Sequence, residues 1–181
     1  MKRSLSRLGF TKTLLAGLLL VLAALLTPLP AGANTQLTDQ EARSLTSELG
    51  CTATVSLTRS DSYNGYYMPG AHAIVVFGNE DLNQDIARAI LLHEIGHCIQ
   101  FQNGESYDVP WREWDADEFA MRNAHRAGIA PDTNLNALRS FLRNRPPHEG
   151  MDEPHGSPAG RILFNEHQLR RLFPGFGIQG A

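Results

Sequence analysis

His93-Glu94-Ile95-Gly96-His97 sets two imidazoles four residues apart, with a carboxylate beside the first. On an α-helix that spacing puts both rings on one face, where their neutral nitrogens can reach a single Zn²⁺ at about 2.0–2.1 Å. Glu94, one residue on, is turned toward a water at the metal rather than the metal itself. The five-residue pattern also arises by chance, so the neighbouring sequence has to decide whether it is a metal site or a pair of hydrogen-bonded core histidines.

The stretch around it predicts a helix from about Asp81 to Gln102, closed by Asn103-Gly104. Ile86, Ala89, Ile90, Leu91, Leu92, Ile95 and Ile99 leave only a thin polar stripe around Gln84 and Arg88, so the helix should be central and buried. His93 and His97 continue the face begun by Ile86 and Ile90. Two imidazoles and a carboxylate on a buried face are costly without a metal.

Upstream, Thr38-Asp39-Gln40-Glu41 is a capping box before a helix through Ala42, Leu45 and Leu49, which Gly50 stops. Thr52 to Leu57 alternates and is rich in β-branched residues, which predicts a strand. Arg59 to Gly65 reads as polar turn, and Asn64 to Gly70 leads into a second, more apolar strand over Ala73 to Phe77. Tyr66 and Tyr67, before a Pro-Gly turn, read mainly as packing residues.

Downstream, a helix is expected from Trp111 to Arg126, with Gly128 beyond its end. Glu113 and Asp117 are four apart and share a face with Ala116 and Ala120, a small-residue side that can lie close to another helix. Glu113 is the candidate third metal ligand; Asp117, one turn on, can hold a ligand imidazole through its free N–H. The competing reading is a pair of solvated acids on a surface helix. A third amphipathic helix is expected over Asn134 to Asn144, then a loop from Pro146 to Gly160 carrying His148 and His155, then a helix over Ile162 to Phe173.

Met1 to Ala33 has the order of a secretory signal peptide: Lys2, Arg3, Arg7 and Lys12, an apolar run from Leu14 to Leu26, and Ala31-Gly32-Ala33. Cleavage is expected between Ala33 and Asn34, leaving one domain over 34–181; the alternative is an uncleaved anchor, for which the run is short. No later stretch suits a membrane span, so stable insertion is not expected after cleavage. Without the four leader cations, 12 of the 16 basic residues face all 19 acidic ones, a net charge of −7 that argues against nucleic acid as partner. Cys51 and Cys98 both fall in the exported part, where an even count in an oxidising compartment favours a disulfide over two buried thiols that never meet.

With these residues the chain resembles the HtpX-like and CAAX-prenyl-endopeptidase-like family of gluzincin zinc metallopeptidases, in particular its small soluble periplasmic members. The likeness runs from about Asn64 to Leu172. It rests on His-Glu-x-x-His at His93 to His97 and on Glu-x-x-Ala-Asp-x-x-Ala at Glu113, Ala116, Asp117 and Ala120. Weaker likenesses are Asn64 to Gly70, His72 to Gly78, and Ala127-Gly128-Ile129-Ala130-Pro131, where Ile129 and Ala130 depart from the family pattern. The family's His-Pro-x-x-x-x-Arg-Ile is approximated by His155 to Ile162, with Gly156 in place of the proline.

The resemblance implies an α+β fold, a mostly helical zincin-like domain with a small β-sheet beside the His-Glu-x-x-His helix. It implies one Zn²⁺ on His93, His97 and Glu113, Glu94 as general base, and His155 or Arg161 as donor to the tetrahedral oxyanion. The expected activity is endopeptidase cleavage of protein or peptide substrates in the periplasm or outside the cell. The strand at Ala73 to Phe77 is expected to pair with an extended substrate. Two rivals stay open: a zinc-binding envelope factor of chaperone or inhibitor type that cleaves nothing, and a latent peptidase in which His148 or His155 fills the open zinc position.

Overall fold

A computed structural model of the chain describes residues 36–78, 83–105, 110–143 and 157–175. Helix α1 (Asp39–Glu48) starts as its sequence predicts. The Thr38 hydroxyl accepts from the Glu41 N–H at 3.2 Å and Glu41 Oε2 accepts from the Thr38 N–H at 2.9 Å, which satisfies two donors that a helix start leaves open. Gly50, at φ +86°, turns the chain out of the helix in a left-handed conformation that a side chain would resist.

Strands β1 (Thr54–Arg59), β2 (Asn64–Met68) and β3 (Ala73–Gly78) form one sheet in the order β1-β3-β2. β1 runs parallel to β3, with Thr54 opposite Ala73; β2 runs antiparallel to it, with Asn64 opposite Phe77 and Met68 opposite Ala73. Three expectations change here. The first strand lies two residues later than Thr52–Leu57, so Arg59 belongs to it, and Asn64–Met68 is a strand rather than a lead-in. Asn64-Gly65 has the look of a turn, but pairing with β3 holds it extended, with Tyr67 buried and Tyr66 and Met68 on the outer face. The third change concerns substrate: β3 has β1 on one side and β2 on the other, so it has no open edge with which to pair.

Helix α2 (Gln84–Gln102) carries the central motif. Asn83 caps it, its side chain accepting from the Asp85 N–H at 2.8 Å. Leu91, Leu92 and Ile95 are fully buried and pack with Ile74 and Val76 of β3, each such side chain contributing roughly 1.5–3 kcal/mol. The expected polar stripe is covered as well. Gln84 and Arg88 are buried, and Gln84 Oε1 accepts from the Leu37 N–H at 2.9 Å, a contact with a segment far away in sequence.

Helix α3 (Pro110–Asn123) lies against α2 and runs into a 3-10 turn (Ala124–Ala127) ended by Gly128. Helices α4 (Pro131–Arg143) and α5 (Pro158–Leu172) complete the layer and pack on each other and on α3, enclosing Met121, Leu135 and Leu169. Both begin a turn or so earlier than the periodicity predicts, because proline at the first helical position needs no N–H partner; Ser157 caps α5 by accepting from the Gly160 N–H at 3.1 Å. The architecture is α+β, a small three-stranded sheet beside a mainly helical layer.

Two short-range features set the position of α2. A disulfide joins Cys51 to Cys98 across 47 residues, tying the entry to β1 to the residue after His97. On the other side, a Cβ at Gly96 would stand 3.0 Å from Ala116 Cα, so α2 and α3 touch backbone to backbone through the small-residue face expected of Ala116 and Ala120.

Candidate metal centre

The contact between Gly96 and Ala116 brings the first turn of α3 over the two histidines of α2. Glu113 then reaches both: one carboxylate oxygen is 3.2 Å from His93 Nε2 and the other 3.2 Å from His97 Nε2, while the two Nε2 atoms are 3.0 Å apart. Atoms at about 2.0–2.1 Å from the centre of a tetrahedron lie roughly 3.3–3.4 Å from one another; the two imidazole nitrogens, and each nitrogen with its nearer Glu113 oxygen, are close to that spacing. His93, His97 and Glu113 form a group that could hold a metal ion.

Both imidazoles present Nε2 to this group because their Nδ1 atoms are engaged elsewhere. His93 Nδ1 lies 2.9 Å from Asp117 Oδ1, at ion-pair distance though outside straight hydrogen-bond alignment. His97 Nδ1 lies 2.9 Å from Gln100 Oε1. Asp117 is in turn held by Arg161, with Nε 2.9 Å from Oδ2 and Nη2 2.6 Å from Oδ1, and by Asn165 Nδ2 at 3.0 Å from Oδ2. Partners of this kind orient the ligand rings and raise their basicity.

Charge supports the same reading. Among the described residues Glu94, Glu113, Asp117 and Arg161 are all buried here, three carboxylates against one guanidinium. A divalent cation would balance the remainder, which is costly to leave uncompensated away from water. Burial alone would lower His93, but the Asp117 and Glu113 carboxylates outweigh it and push the ring up to about 10. Burial would also raise Asp117, yet the Arg161 guanidinium and His93 hold its carboxyl below the usual carboxylate range.

Glu94 stands next to this cluster without belonging to it. Its Oε2 accepts from the Tyr67 N–H at 2.8 Å, so the carboxylate lies along strand β2. Gly65 makes that approach possible: a Cβ there would be 3.1 Å from Glu94 Cγ and would collide with Ile90 Cγ2.

Five expected residues, His93, Glu94, His97, Glu113 and Asp117, are therefore together. Arg161 is there too, but in another capacity: it is 2 % exposed, with Nη1 2.9 Å from Glu113 Oε2 and its other nitrogens on Asp117. It holds the two acidic residues in place through all three of its nitrogens. His148 and His155 lie outside the described residues. Tyr66 points outward at 48 % exposure, and the Tyr67 hydroxyl is 2.9 Å from His72 Nδ1. The sequence reading missed Gln100, Asn165 and the Tyr67 N–H. Gln100 alone had a local signal, being one turn beyond His97.

A cavity of about 240 Å³ lined by Leu37, Leu57, Arg59, Tyr63 and Phe77 lies at the far end of β1 and β3, and none of the candidate ligands lines it. No helix among the described residues is long and apolar enough to cross a membrane. Comparison with protein-family models, with curated proteins and with solved structures found no match to this chain.

Proposed function

We propose that this chain is a zinc-dependent endopeptidase of the gluzincin kind, similar in its motifs to the HtpX-like and CAAX-prenyl-endopeptidase-like family, and that it acts on protein or peptide substrates outside the cytoplasm. The observation that carries the reading is that the two imidazole nitrogens lie 3.0 Å apart, each 3.2 Å from an oxygen of Glu113, with a further carboxylate, Glu94, beside the histidines on their own helix but held off the group by the Tyr67 N–H. Binding alone has no use for such a base.

His93, His97 and Glu113 would hold the metal. Bound Zn²⁺ supplies Lewis acidity, bringing the pKa of a water toward about 7 and polarising the scissile carbonyl. Glu94 takes the proton from the attacking water and delivers it to the leaving amine. Asp117 keeps His93 turned toward the donor group, and Arg161 holds both Asp117 and Glu113 in place. The open edge of the sheet beside Glu94 belongs to β2, and an extended peptide would add there through backbone hydrogen bonds, releasing the Tyr67 N–H from Glu94. An exported location agrees with the Cys51–Cys98 disulfide, which persists in an oxidising compartment.

The test is casein cleavage by the purified protein and by Glu94→Gln. Loss of cleavage in the variant with zinc retained supports the assignment; a variant that still cleaves removes Glu94 from the mechanism. Zinc in both proteins without cleavage in either would favour the non-catalytic zinc-binding factor.

A further inference from the structure

The Gln100 side chain bridges two elements of the centre. Its Nε2 donates to the Arg112 carbonyl oxygen at 2.9 Å, and its Oε1 lies 2.9 Å from His97 Nδ1. Arg112 immediately precedes Glu113, so one buried amide contacts a ligand on α2 and the backbone next to the ligand on α3. A carbonyl oxygen can only accept, so the end of the amide facing Arg112 has to be the nitrogen. The end facing His97 is then the oxygen, which also can only accept. His97 must carry a proton on Nδ1, which leaves Nε2 as the nitrogen that faces Glu113 and His93.

We infer that Gln100 is a positioning residue for metal ligation: by way of the Arg112 carbonyl it fixes His97 as the Nδ1–H tautomer and so presents Nε2 to the metal. This rests on the zinc-peptidase reading for its consequence but not for its geometry. The two histidines are thereby oriented by different chemistry, His93 by the carboxylate of Asp117 and His97 by a neutral amide. The neutral amide orients His97 without adding a fourth carboxylate to a cluster that already holds Glu94, Glu113 and Asp117.

Removing such a partner typically weakens metal binding about 10–100-fold. Gln100→Ala should therefore raise the zinc dissociation constant by about that factor, measured by competition with a chromophoric chelator. Gln100→Glu retains an oxygen toward His97 Nδ1 and should bind zinc more tightly than the alanine variant; the pair separates loss of the acceptor from a general loss of packing. Nitrogen-15 NMR of the imidazoles in the metal-free protein gives a readout independent of zinc, with His97 in the Nδ1–H form in wild type and shifted toward Nε2–H in Gln100→Ala. A wild-type His97 in the Nε2–H form would overturn the inference, as would an unchanged zinc affinity in Gln100→Ala. A wild-type protein that binds no zinc while His97 remains Nδ1–H would instead remove the metal reading and with it the role assigned to Gln100 in ligation.

Discussion

Gly96 lies so close to Ala116 that a Cβ on the glycine would stand 3.0 Å from the alanine Cα and 3.2 Å from its Cβ. Helix α3 cannot retreat from a larger residue without carrying Glu113, one turn earlier, away from His93 and His97. Gly96→Ala should cost about 1–3 kcal/mol through overpacking, and should weaken zinc binding as well. Thermal denaturation with and without zinc checks both effects. A variant with unchanged melting temperature and unchanged zinc-induced stabilisation would show that the helix contact does not set the ligand spacing.

Arg161 is the described guanidinium that compensates Asp117 and Glu113 at the centre, at 2.6 and 2.9 Å. Arg161→Met would leave buried carboxylates without their partner, a change that costs about 3–5 kcal/mol. Denaturant unfolding should show it. A loss under about 1 kcal/mol would mean that solvent reaches Asp117 and screens it.

The depressed Asp117 carboxyl gives the acid limb of stability a definite sign. Burial opposes ionisation, but Arg161 and His93 more than offset it, so the folded value lies below the unfolded one, about 3.9. Its contribution is complete above that unfolded value and is lost as pH falls through the folded one. The stability gap between wild type and Asp117→Asn should accordingly be widest above about pH 4 and narrow on further acidification. A gap that widens in acid would contradict the ion-pair account.

The disulfide closes a loop of 47 residues and should contribute about 4 kcal/mol by restricting the unfolded chain. Cys51→Ala with Cys98→Ala should lower the melting temperature accordingly. A double variant as stable as wild type would imply native strain that cancels the entropic gain.

Glu113→Ala removes the donor that spans both imidazoles, and zinc per chain measured by elemental analysis should fall well below one. Full retention would mean that the third ligand is another residue.

What could be read from the sequence was local in its physics. His93 and His97 share a helix face because of a fixed four-residue spacing; Thr38 with Glu41 and Gly50 delimit α1 by caps within a turn of themselves. Glu113 and Asp117 were legible for the same reason, helped by Ala116 between them. What could not be read depends on partners distant in sequence. Asn64–Met68 is a strand only because β3 pairs with it, and that pairing leaves β3 flanked on both sides. Gln84 is buried because Leu37 donates to it, and Gln100 acquires its meaning from the Arg112 carbonyl. Arg161 was placed at the site by its motif, but its role followed only from the two carboxylates around it.

The most direct test of the account is chelation of the purified protein, with zinc content and casein cleavage followed on the same sample. One zinc per chain, cleavage abolished when the metal is removed and restored when zinc is returned, is the result predicted. No zinc in the purified protein and none taken up on addition, or cleavage that survives complete removal of the metal, would contradict it.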